Sequence, residues 1–355
     1  MKRPISLIIL AFLVFVFEPL PAFSAAKLPQ LLLKSFLPLP DSTLIVFGKM
    51  LFIDPTEIEE NLNMGRVELF FHHRAKNLPL TISIGNARVQ TQTNDEGDFS
   101  VSFPGSAAAE LRGETTVTFT SSQFPSYQET ATYNLPAQPQ FLIVSDIDDS
   151  VLVSSGGKFY KAIGNALFKP VHKRDAVPGT PEIYRALITG TQGTDSLLVF
   201  LSGSPVYLAP RIEIFFKDKA FPEHSLILQN IGPKELFWDR LLKHKPSRLF
   251  SSTTMEYKLL QLGKLFKWYP DLPVILLGDS LEKDPEVYQK MAENYPGKVR
   301  LVVIRNLTQQ PLGNARYEGL RILAPLIVWN DPAELRDALI RENLIAPSAG
   351  TADQK

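Results

Sequence analysis

The spacing of apolar positions changes near residue 140. Before it, short β-branched or aromatic runs are separated by turn residues: Thr43–Phe47, Arg66–Phe71, Leu80–Ile84, Phe99–Phe103 and Thr115–Thr120. Asn94-Asp-Glu-Gly97 predicts a turn between two of them, with Gly97 supplying a positive φ. Strands at this spacing, with no helical stretch between them, predict an all-β, sandwich-like domain over residues 27–137. Lys27–Pro40 reads as a lead-in, since Pro29, Pro38 and Pro40 oppose a long helix, and Tyr133–Gln140 reads as a linker.

From residue 138 to 345 the pattern is different. Apolar strands at Phe141–Val144, Leu197–Leu201, Val274–Leu277 and Val299–Ile304 alternate with segments of helical period, which predicts a Rossmann-like parallel sheet with crossover helices. Met255, Leu259, Leu262, Phe266 and Tyr269 form one helical stripe. Asp331 caps a helix running from Pro332 to about Leu344, and residues 346–355 read as a flexible tail.

Composition narrows the function classes. Of 355 residues, 45% are hydrophobic and 21% charged, enough apolar surface for a sizeable core. Lys+Arg and Asp+Glu both number 37, so no overall field draws in nucleic acid. The absence of Cys excludes disulfides, thiolate metal sites and Cys nucleophiles. Lys2 and Arg3, an apolar run from Ile5 to Phe17 and small residues through Ala26 have the order of a signal peptide, kept as an anchor in the alternative reading. The expected location is therefore periplasmic or extracellular.

Four clusters carry candidate chemistry. The strand Phe141–Val144 runs into Ser145-Asp146-Ile147-Asp148-Asp149-Ser150, at the strand end where open α/β sheets bind ligands. Carboxylates packed this closely repel one another, and a hard divalent cation relieves that. The alternation of Asp146, Asp148 and Ser150 also suits a calcium loop, but Val151 and Gly157 stand where that loop needs Gly and Glu. Ser202-Gly203-Ser204-Pro205 follows a second strand and offers hydroxyl and backbone N–H groups for phosphate oxygens. Lys258 is an ammonium off the apolar face of its helix, and Gly278-Asp279-Ser280 with Asp284 adds further carboxylates.

In this order, the clusters resemble the motifs of the haloacid dehalogenase superfamily. The closer resemblance is to the phosphatidate phosphatase catalytic domain of the yeast actin-patch protein and its bacterial relatives. It is carried by Asp146-Ile-Asp-Asp-Ser-Val151, Val177-Pro-Gly-Thr-Pro-Glu-Ile-Tyr184, Ser202-Gly-Ser-Pro205, Tyr257-Lys258 and Gly278-Asp-Ser with Asp284-Pro-Glu-Val-Tyr288. Departures are Ser150 for Thr, Gly203 for Asn, and Leu281-Glu282 for Gly-Gln. The resemblance implies a small cap and a phosphatase in which Asp146 is the nucleophile, Asp148 the acid/base and Lys258 a charge neutraliser. It further implies that Ser202, Gly203 and Ser204 hold phosphate, and that Asp146, Asp148, Asp279 and Asp284 hold Mg²⁺.

The expected substrate is phosphatidate or a related lipid phosphomonoester. Lys158, Lys161, Lys169, Lys173 and Arg174, and again Arg240, Lys243 and Lys245, are interleaved with aromatic and apolar residues, which suits contact with an anionic membrane. An ordinary core-facing helix with solvated lysines explains the same pattern. A soluble exported phosphomonoester is the alternative substrate, and a catalytically inert binding module the alternative class.

Overall fold

The computed structural model describes residues 27–53, 73–105, 113–136, 139–148, 150–152, 175–191, 193, 196–230, 246–309, 311 and 313–347. The expected signal segment 1–26, the strand expected at Arg66–Phe71, Asp149, most of the two basic-aromatic stretches (153–174 and 231–245) and the tail from 348 lie outside the described residues.

Two antiparallel sheets come first. β1 (Leu28–Pro38), β2 (Leu44–Ile53) and β3 (His73–Arg74) pair in that order, with β6 (Asp98–Phe103) on β2. The second sheet has the order β5-β4-β7-β8, made of β4 (Pro79–Ile84), β5 (Ala87–Gln92), β7 (Gly113–Thr120) and β8 (Gln128–Leu135). Period-two alternation explains their faces: Leu80, Ile82 and Ile84 of β4 meet Phe99, Val101 and Phe103 of β6 in one core. The predicted turn at Asn94–Gly97 joins β5 to β6, with Gly97 at φ 81.

Two sequence expectations need correction here. Residues Leu28–Pro38 form strand β1 rather than a lead-in, because β1 is terminal in its sheet, where prolines at the strand ends remove no ladder bond. Tyr133–Leu135 belong to β8 rather than to a linker, and Tyr133 is buried.

The parallel sheet has six strands in the order β11-β10-β9-β12-β13-β14. They are β9 (Leu142–Ser145), β10 (Leu197–Pro205), β11 (Ser225–Gln229), β12 (Val274–Asp279), β13 (Val299–Arg305) and β14 (Leu326–Trp329). Counted from β9 this is the 3-2-1-4-5-6 order of doubly wound α/β sheets. Alternate residues enter two cores. Ile143, Phe200, Ile275 and Val303 face α1 (Thr180–Thr189), α2 (Ala209–Asp218) and α6 (Pro332–Arg341). Val144, Val199, Leu276 and Val302 face α3 (Pro246–Trp268), α4 (Asp284–Asn294) and α5 (Ala315–Leu323). Burial on both faces is why these strands read as continuous apolar runs. Asp331 caps α6 as expected, accepting from Ala333 N.

The antiparallel part contributes to the same cores: Leu32, Leu33, Leu51 and Ile53 join one, and Leu37 and Ile45 the other. At the edge of the parallel sheet, Ser35 Oγ accepts from Leu226 N and donates to Leu226 O at 2.7 Å, and Ser225 Oγ donates to Phe36 O. Ser35 thus satisfies backbone groups of β11 and Ser225 a carbonyl of β1, each a strand at the end of its sheet. Among the described residues, no helix is long and apolar enough to cross a membrane.

Candidate active site

β9 and β12 are neighbours, so their carboxyl ends bring Asp146 and Asp279 to the crevice where strand order reverses. Asp146 N donates to Leu277 O at 2.9 Å, which continues the ladder one residue past β9. Below it, Ser145 Oγ contacts Tyr184 OH at 2.5 Å and donates to Asp146 O. Tyr184 comes from the Val177–Tyr184 motif, so α1 holds the base of the Asp146 turn.

Lys258 lies mid-way along α3, which begins earlier than the stripe at Met255 predicts. It is buried, and its Nζ donates to Asp146 Oδ1 at 2.7 Å, Asp284 Oδ1 at 2.6 Å and Glu282 Oε2 at 3.2 Å. The other Asp284 oxygen accepts from Asp279 N at 3.2 Å, so both oxygens of Asp284 are occupied by protein donors. A Cβ at position 278 would stand 2.4 Å from Asp284 Oδ2, which is why glycine is needed there. Asp279 Oδ1 accepts from Leu281 N and from Glu282 N at 3.0 Å.

On the other side of the crevice, Asp148 Oδ2 accepts from Ser204 Oγ at 2.9 Å and from Ser202 Oγ at 3.3 Å. Ser204 N in turn donates to Ser202 Oγ at 2.9 Å. Between the two serines, a Cβ at Gly203 would stand 2.5 Å from Thr254 Cγ2. The departure from Asn at 203 is therefore matched by α3 pressing Thr254 against the turn.

Of the residues singled out from the sequence, Asp146, Lys258, Asp279 and Asp284 form one hydrogen-bonded group and Asp148, Ser202 and Ser204 a second. Sequence reasoning missed Glu282, noticed only as a departure, and Arg316. The Arg316 guanidinium donates to Ser280 O and Glu282 O and forks onto Glu286 at 3.0 and 2.8 Å. Ser280 Oγ accepts from Leu307 N and Thr308 N. The loop carrying the acidic cluster is thus clamped from α5 and from the end of β13.

Burial pushes the carboxyls of Asp146 and Asp279 well above the usual carboxylate range; neighbouring acids reinforce the shift and Lys258 opposes it. Burial also raises Glu282. Burial works against the Lys258 ammonium too, but Asp146, Asp284 and Glu282 outweigh it and push Lys258 well above the usual lysine range. One ammonium thus serves several acids, and the surplus negative charge calls for protons or a further cation.

Asp146, Glu282 and Asp284 form a group whose ligand atoms lie within 4.8 Å of one another and could hold a metal. Lys258 Nζ touches an oxygen of each, so the ammonium already stands among those oxygens where a metal would sit. The better fit for a metal is elsewhere. Asp146 Oδ2 and Asp279 Oδ2 are buried without a hydrogen-bond partner, and carboxylate oxygens at adjacent strand ends suit a hard, oxygen-ligated cation.

Residues 141–306 match the family model described as phosphatidate phosphatase APP1, catalytic domain. This is the family whose motifs the chain resembles, and the match spans Asp146, Asp148, Ser202, Lys258, Asp279 and Asp284. Residues 1–140, the antiparallel sheets included, and Arg316 fall outside it. No curated protein matches the chain. Similar solved structures include a carbohydrate acetylesterase from Xanthomonas citri, at 12% identity over 89% of this chain and 74% of that one, with a TM-score of 0.33. An acetyl xylan esterase from Butyrivibrio proteoclasticus is 12% identical over 90% of this chain and 95% of that one, with a TM-score of 0.25. Likenesses this weak carry no argument about fold or chemistry.

Proposed function

We propose that the chain is a Mg²⁺-dependent phosphatase of the haloacid dehalogenase type, acting through an aspartyl-phosphate on Asp146. Its preferred substrate in this reading is phosphatidate or a related lipid phosphomonoester. The observation that carries it is the buried Asp146, held by Lys258, with Asp148 two residues on held by Ser202 and Ser204, inside the stretch matched to the phosphatidate phosphatase family.

In the first step an Asp146 carboxylate oxygen attacks phosphorus in line and the bond to the leaving oxygen breaks. Lys258 holds the nucleophile in place and balances charge as the phosphoryl group approaches. Asp148, oriented by the Ser202 and Ser204 hydroxyls, protonates the leaving alcohol. It then takes a proton from water, whose oxygen attacks the phosphorus of the aspartyl-phosphate and frees Asp146 and inorganic phosphate. Phosphate oxygens are received at the turn 202–204, where a serine hydroxyl that donates to Asp148 in the free protein turns to the phosphate. Asp146 and Asp279, with the backbone carbonyl of Asp148, would hold the Mg²⁺, whose positive charge lessens repulsion between attacking carboxylate and phosphate. Asp284 acts beside them by fixing Lys258 and Asp279 N. The reading includes export directed by residues 1–26, a small cap within 153–195 and peripheral membrane contact through the basic-aromatic stretches.

Phosphate release should be measured from phosphatidate vesicles and from a panel of soluble monoesters with Mg²⁺, using Asp146→Asn as the blank. Release from the vesicles should fall by about 10³-fold or more in the variant. Activity confined to soluble monoesters would refute the lipid assignment. No release from any monoester would refute the phosphatase.

A further inference from the structure

The three N–H donors of Lys258 are all taken, by Asp146, Asp284 and Glu282. A phosphoryl oxygen that is to meet this ammonium must displace one of them. Asp146 is the attacking group and cannot leave. Asp284 is fully buried, held on its second oxygen by Asp279 N, and packed against the Cα of Gly278. Glu282 makes the longest of the three contacts, and its side chain keeps 31% exposure. Its backbone is pinned on both sides, by Asp279 Oδ1 at its N–H and by Arg316 at its carbonyl. Only the Glu282 side chain is free to swing, and solvent lies on its outer side.

We propose that Glu282 is an internal anion occupying the phosphoryl position at Lys258, displaced when substrate binds, and that it selects against free inorganic phosphate. The proposal rests on the phosphatase reading above. A phosphomonoester brings contacts through its leaving group that offset displacement of the carboxylate, whereas free phosphate has only its own oxygens. Selection of this kind works by a repulsive element against the wrong ligand. A Gln at this position would offer Lys258 a neutral carbonyl and phosphate an N–H donor. The carboxylate in this chain reverses that preference, and it would also hasten departure of the product phosphate.

The test is calorimetric titration of inorganic phosphate into the full chain with Mg²⁺ present, comparing wild type with Glu282→Gln and Glu282→Ala. Both variants should bind phosphate about tenfold more tightly than wild type. Phosphate should also inhibit hydrolysis at correspondingly lower concentration. General damage to the site would weaken binding, so a gain in affinity is the sign that separates displacement from a structural role. Unchanged or weaker binding in both variants, with hydrolysis by wild type intact, overturns this proposal alone. If wild type neither binds phosphate nor hydrolyses any monoester, both this proposal and the phosphatase reading fall.

Discussion

Among the described residues two lysines are buried, and they sit in opposite kinds of environment. Lys49, on β2, donates to Glu96 O at 2.6 Å, Asp98 Oδ1 at 2.8 Å and Asn230 Oδ1 at 3.2 Å. Asn230 closes the group by donating to Asp98 Oδ2 at 2.8 Å, and the ammonium lies 5.8 Å from the centre of the Tyr207 ring. One carboxylate and two neutral acceptors meet one cation. Burial pulls Lys49 below the usual lysine range, against the pull of Asp98. Lys258 is as buried, yet three carboxylates surround it and drive its pKa upward. The first lysine closes a clasp between the β5–β6 turn and the end of β11, with its donors and charge matched. The second leaves negative charge over, and that surplus marks a place where something positive is to bind.

The contrast predicts opposite variants. Lys258→Met should lower phosphate release by about 10²–10³-fold or more while the protein stays folded, because the buried acids can take up protons instead. Circular dichroism beside the activity assay checks this, and a variant that keeps activity would end the distinction from the catalytic side. Lys49→Met should do the reverse. It removes the partner of a carboxylate that is only partly buried, so urea unfolding should show a loss of about 1–3 kcal/mol. Activity per folded molecule should remain within about threefold of wild type. A large loss of turnover in folded Lys49→Met would mean that the clasp steers the neighbouring turn at residues 202–205.

These two lysines also show what a sequence can reveal. Lys258 was legible because its partners lie in short motifs at strand ends, where local pattern and chemistry coincide. Lys49 was not, since its partners at 96, 98 and 230 are brought together by sheet pairing and by the packing of β1 and β2 on the parallel sheet. Arg316 was hidden for the same reason: nothing local in α5 announces that its guanidinium closes on the loop at 280–282. Glu282 was visible only as an exception, and its meaning depended on the distance to Lys258. The parallel strands were readable from apolar runs, whereas β1 was obscured by its terminal prolines. The alternation of Leu80, Ile82 and Ile84 predicted a face but not its partner on β6.

A smaller effect separates the two lysine environments by pH. Asp146, Asp279 and Glu282 hold protons more tightly in the folded chain than in the unfolded one, chiefly through burial. Groups with raised folded pKa values contribute stability that is complete below their ordinary values and is lost as pH rises through the folded ones. Without divalent cations, the melting temperature should therefore fall as pH rises from the ordinary carboxylate range, about 4, towards neutrality. A cation bound between Asp146 and Asp279 competes with those protons and stabilises the folded state by mass action. The gain in melting temperature on adding Mg²⁺ should thus be larger near pH ~8 than near pH ~5. Lys49→Met should keep that difference, because none of the partners of Lys49 belongs to the crevice, whereas Asp279→Asn should abolish it. Thermal melts of the three proteins in chelator and in Mg²⁺ check this. Equal gains at both pH values would mean that the unpartnered oxygens of Asp146 and Asp279 do not hold the ion, and the surplus charge around Lys258 would then have to be balanced by protons alone.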